Sequence, residues 1–128
     1  MTAESDIAAR LASAGFGTLG TDLFINTLPA TPDNCISVSG YAGSPPERTH
    51  DTSGNARPGI QVRVRNTSAA TGRTVIENIF NYLDGSGNVS LSSVFFLSID
   101  AVQSPFPMGK DENNRTEYSV NFSTIVRR

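Results

Sequence analysis

Gly59-Ile60-Gln61-Val62-Arg63-Val64-Arg65-Asn66 decides the fold. Side chains alternate along a strand, so Ile60, Val62 and Val64 point one way while Gln61, Arg63 and Arg65 point the other. A slip of one residue would bury two arginines, so the pairing register is strongly fixed. Thr67 or Ser68 then caps a helix over 69–83. Val75, Ile76, Ile79, Phe80 and Leu83 form its continuous apolar stripe, and Asp84-Gly85-Ser86-Gly87 stops it.

Upstream, Ala3, Ile7, Ala8, Leu11 and Ala14 lie at helical spacing. Glu4 and Asp6 suit the positive helix start, Thr2 can cap it, and Gly15 can end it in the left-handed conformation. Leu23 to Leu28 and Cys35 to Tyr41 read as two strands joined through a turn at Pro29 to Asn34, which predicts a hairpin. Residues 43–58 form a long polar loop with three prolines, of a kind that is usually functional or disordered.

Downstream, Ser93 to Val102 is apolar on both faces and reads as a central strand, with Phe95, Leu97 and Ile99 alternating against Val94, Phe96 and Val102. Ser104 to Asn114 is turn-rich. Arg115 to Val126 is the last strand, with Tyr118, Val120, Phe122 and Val126 on one face and Glu117, Ser119, Asn121 and Ser123 on the other. The order α-β-β-β-α-β-β predicts an α/β (α+β) fold in one domain, 1–128. Its mixed sheet of about five strands carries two helices on one face, which leaves the opposite face to solvent or to a partner.

The 128 residues are 38% hydrophobic, enough for one core without disulfides or metals. A net charge of -2 argues against a dedicated nucleic-acid binder. Cys35 is the single cysteine, which excludes an internal disulfide and suits a reducing compartment. Met1 to Ala14 does not read as a signal peptide, and no apolar run approaches the length of a membrane helix.

No site of chemistry is expected, whether catalytic, cofactor-binding or metal-binding. Gly15-Phe16-Gly17-Thr18-Leu19-Gly20 matches G-x-G-x-x-G, but a helix precedes it and a strand follows, the reverse of a dinucleotide site. His50, beside Asp51 in the polar loop, has no second and third partner for a triad. One Cys, one His and scattered carboxylates give no metal-ligand spacing. Cys35 reads as a small core residue. Arg57, Arg63 and Arg65 form either a charged patch for a partner or a solvated strand face paired to residues such as Glu117. Asp111, Glu112, Arg115 and Glu117 crowd the last hairpin without a pocket that would separate their pKa values.

These features together resemble the tail terminator family of long-tailed bacteriophages, whose members are also described as minor capsid or tail-completion proteins. The resemblance rests on the N-terminal helix with Ile7 and Leu11, on Pro58-Gly59-Ile60-Gln61-Val62-Arg63-Val64-Arg65, and on the helix carrying Val75 to Leu83. It rests most on Pro105-Phe106-Pro107-Met108-Gly109-Lys110-Asp111-Glu112-Asn113-Asn114-Arg115-Thr116-Glu117-Tyr118. It implies a non-enzymatic virion protein that forms a ring, a homohexamer in the usual case, capping the tail tube. Such a ring ends tube polymerisation and offers the head-tail joining surface. The implied partners are further copies of the chain, the tail tube protein and a head-completion or connector protein. DNA would pass through the lumen without sequence-specific binding, and no membrane is involved. Assembly would take place in the host cytoplasm. Arg48, His50, Asp51, Arg57, Arg63, Arg65, Asp111 and Arg115 are the expected interface residues. The alternatives are a connector subunit at the neck or, in another class, a small ligand-binding or hydrolytic domain.

Overall fold

The computed structural model describes residues 3–44, 57–91 and 94–126. The chain runs α1 (Ala3–Ser13), β1 (Leu23–Ile25), β2 (Cys35–Ser44), β3 (Arg57–Asn66), α2 (Ala69–Leu83), β4 (Ser86–Leu91), β5 (Val94–Ala101), β6 (Phe106–Lys110) and β7 (Thr116–Val126). The strands form one mixed sheet in the order β1-β2-β3-β7-β5-β4, and β6 pairs with β7 beside β5. The mixed α+β class with two helices is as the sequence implies, but the sheet has seven strands rather than about five.

β3 sits in the middle, antiparallel to β2 on one side and to β7 on the other. Ile60, Val62 and Val64 are buried together with Ile36 and Val38 of β2 and Tyr118, Val120 and Phe122 of β7. Ile7, Ala8 and Leu11 of α1 and Ile76, Ile79 and Leu83 of α2 pack on them, so both helices cover the same face. α1 lies over β1 and β2, and α2 over β7 and β3.

The helix ends follow local chemistry. Ser68 caps α2, its side chain accepting from the Thr71 N–H at 3.3 Å. At the end of α1, Phe16 N–H donates to the Leu11 carbonyl and Gly15 N–H to that of Ala12, with Gly15 at φ +89°. This is a Schellman closure, and the glycine supplies the positive φ that it requires. Gly15 to Gly20 is therefore a helix stop and a turn, followed by β1.

Four sequence expectations change. β1 and β2 are parallel neighbours, not a hairpin. The segment 26–34 carries the chain back past the short β1, which a tight two-residue turn could not do. β4 begins at Ser86, inside the expected helix stop, because β5 offers it an edge to pair with. β6 lies within the stretch read as a loop. Its proline and glycine argue against a central strand, and it is an edge strand pairing only with β7, with a register irregularity between Pro107 and Gly109. Finally, Phe96 and Ile99 are both fully buried although they are three positions apart. A register shift between Phe96 and Ser98 resets the alternation of β5, as a bulge does. Gly87 of β4 makes room there, since a Cβ on it would stand 2.9 Å from the Leu97 carbonyl oxygen.

Candidate functional site

The face of the sheet away from the helices is polar. Its rows run across β2, β3 and β7: Cys35–Arg65–Glu117, Ser37–Arg63–Ser119, Ser39–Gln61–Asn121 and Tyr41–Gly59–Ser123. Phe106 of β6 extends the second row. Ser37 and Ser119 are fully buried, while Arg63, Gln61 and Asn121 are half-buried.

Several of these groups lack partners. Arg63 Nε, Ser119 Oγ and Asn121 Oδ1 are shielded from solvent without a hydrogen bond. So is Oε1 of Gln103, which follows Val102, whose N–H donates to the Asn121 carbonyl. Among the described residues the Arg63 side chain makes no hydrogen bond or ion pair. A buried polar group left unsatisfied costs about 1–3 kcal/mol, and those of Arg63, Ser119 and Asn121 fall at neighbouring positions of β3 and β7.

The other two arginines are used inside the chain. Arg65 stands opposite Glu117 in the sheet, yet its guanidinium donates to the carbonyls of Pro32 at 2.6 Å and Asp33 at 3.2 Å. Arg115 is buried and donates to the Ala30 carbonyl at 2.6 Å, to Asp33 Oδ1 at 3.1 Å and to Asp111 Oδ2 at 2.7 Å. Together they tie the 30–33 turn beneath the end of the sheet. Asp111 also accepts from the main-chain N–H groups of Asn113 and Arg115. Burial opposes ionisation of Asp111, but these hydrogen bonds and the Arg115 charge outweigh it and hold the carboxyl below its ordinary range. Arg115 behaves reciprocally: burial works against its charge, and Asp111 and Asp33 together raise its pKa.

The structure thus separates the expected interface residues. Arg63 faces outward unpaired on the polar sheet face. Arg65, Asp111 and Arg115 shape the turn and the hairpin. Arg57 is half-buried at the start of β3. Arg48, His50 and Asp51, with most of the 43–58 loop, lie outside the described residues. The partnership of Asp33 with Arg115 was not apparent in the sequence, because the two are far apart in the chain and only the completed sheet brings them together. Ser119 and Asn121 were legible as strand polar positions, but their burial was not.

Cys35 is buried, and burial pushes its thiol pKa up, away from the reactive thiolate. Among the described residues no group of three or more His, Cys, Asp or Glu side chains is placed to hold a metal, and no helix is long and apolar enough to cross a membrane.

Comparison with known proteins adds to this. A search of curated proteins returns no match. Among solved structures, a chain from the virion of a native gene transfer agent (GTA) particle superposes with a TM-score of 0.61 at 16% identity, covering 98% of this chain and 87% of that one. At that identity the likeness speaks to the fold. The family model of the bacteriophage tail terminator protein matches residues 10–128. With that match running from the last turns of α1 to the end of the sequence, the chain belongs to the bacteriophage tail terminator family, structural proteins of the virion tail.

Proposed function

We propose that copies of this chain close into a ring on the end of the tail tube, ending tube growth and presenting the surface to which the filled head is joined. The observation that carries this is the sheet itself. Its apolar face is sealed by α1 and α2, while its polar face holds buried groups without partners. Among the described residues β4 has one neighbour, β6 pairs only with β7, and β1 meets beyond β2 only an isolated bridge from Leu19 to Leu23, so strand edges also remain open. Open edges and an unsatisfied face are surfaces for other polypeptides. Unlike surfaces meeting head to tail close into a ring when the rotation between copies permits, and we take a hexamer as the working state. The partners are then neighbouring copies, the tail tube protein below and a connector above, with DNA passing through the lumen.

The test is electron microscopy of particles made without this protein. Overlong tubes that regain a fixed length when the protein is supplied support the proposal. Tails of normal length that merely stay unattached to heads would sink it and favour a connector at the neck.

A further inference from the structure

Resting on the ring reading above, we propose that the tip of the β6–β7 hairpin of one copy docks on the polar sheet face of the next, with Glu112 pairing to Arg63. Among the described residues the Arg63 guanidinium, half-buried with a shielded Nε, has no partner, and Ser119 directly opposite it in the sheet is fully buried with its hydroxyl unsatisfied. An occupant of this face would bring a carboxylate for the terminal nitrogens of the half-buried Arg63 guanidinium.

The chain carries such a group at the tip of its β6–β7 hairpin. Glu112, Asn113 and Asn114 are exposed at the hairpin tip, and among the described residues the Glu112 carboxylate has no hydrogen bond or ion pair. The tip is held in shape. Asp111 N–H donates to the Arg115 carbonyl, Asn114 N–H donates to the Asp111 carbonyl, and the Asp111 carboxylate takes Asn113 N–H, Arg115 N–H and the Arg115 guanidinium. A tip already in its bound form loses little entropy on docking. Within one copy the tip lies beyond Thr116, while Arg63 pairs further along β7 at Ser119. The unpaired cation and the unpaired anion are therefore at different positions along β7 and do not pair with each other within one subunit. That arrangement suits a head-to-tail contact, in which each copy gives its tip to one neighbour and its sheet face to the other.

The experiment is a charge exchange. R63E and E112R are each purified, checked for native unfolding temperature, and assayed for ring formation by sedimentation over a concentration series and by imaging on purified tail tubes. Each variant alone is expected to need at least ~10-fold more protein to assemble than the parent, about 1.4 kcal/mol of contact free energy. Mixing the two in equal amounts is expected to restore rings, because copies alternating around an even ring pair a carboxylate with a guanidinium at every junction. The unchanged tip of R63E meets the unchanged face of E112R at one junction, and the two reversed charges meet at the next. R63Q, a milder change on the strand, is run beside R63E and should lose assembly in the same direction. Assembly of either charge variant at the parent concentration overturns the proposal, as does a mixture that fails although both variants are folded. Rings that form normally but no longer settle on tubes would also overturn it, placing the tube protein on Arg63. A parent protein that forms no ring, even on tubes, fails the ring reading itself, an outcome distinct from all of these.

Discussion

Arg115 and Asp111, four positions apart, close a 2.7 Å ion pair across the turn between β6 and β7, and the same guanidinium reaches Asp33 in the segment that precedes β2. The Asp111 pKa is lowered by folding, so the stability this carboxylate contributes is present above its unfolded pKa and is lost as pH falls through the folded one. D111N should lower the unfolding temperature at neutral pH, and the gap to the parent should narrow as the pH is taken below about 4. Thermal unfolding across pH checks it, and a gap that stays constant into acid would show that the charge of Asp111 contributes nothing.

Arg65→Ala should be destabilising through a distant loop. It removes the donors to the Pro32 and Asp33 carbonyls, and hydrogen bonds from a charged group contribute about 1.5–3 kcal/mol. Urea unfolding measures the loss. Limited proteolysis should cut the 29–34 segment faster in the variant than in the parent.

Gly87→Ala should cost more than an ordinary glycine replacement in a strand. The new Cβ would stand 2.9 Å from the Leu97 carbonyl oxygen, a backbone atom that cannot swing aside as a side chain would. Strain of this kind typically costs about 1–3 kcal/mol, read as a lower urea midpoint at unchanged slope.

Gly59→Ala tests a close approach of another kind. The Tyr41 ring lies across the glycine, and a Cβ at 59 would come within 2.6 Å of it. The single variant should lose about 1–3 kcal/mol. Combined with Tyr41→Ala it should lose less than the two single changes added together, since the clash is then gone. Strict additivity in the double-mutant cycle would contradict the contact.

The contrast between legible and illegible elements has physical causes. β3, α2 and β7 could be read because each carries a strict period, of two or of 3.6, over ten or more residues. β6 could not, because Pro107 and Gly109 are turn signals and only the β7 edge makes the segment a strand. The faces of β5 were misread because one bulge moves Ile99 into register with Phe96. For the candidate site, the strand pattern put Arg63 and Arg65 on one face. It could not tell them apart, since what separates them is the 30–33 turn, whose position depends on Arg115 far along the chain. Charged side chains at equivalent strand positions look alike until their long-range partners are known.

Tyr41 also places its hydroxyl within 3.4 Å of the Phe122 carbonyl, so one side chain rooted in β2 passes over β3 at Gly59 and ends on β7. Three neighbouring strands are thereby stapled at a single cross-section of the sheet. Amide protons on either side of Gly59 should then exchange with deuterium in a single concerted opening of β2, β3 and β7, rather than through peeling of β2 alone. The end of β2 beyond its pairing with β1 is thus coupled to β3 and β7 and opens only together with them.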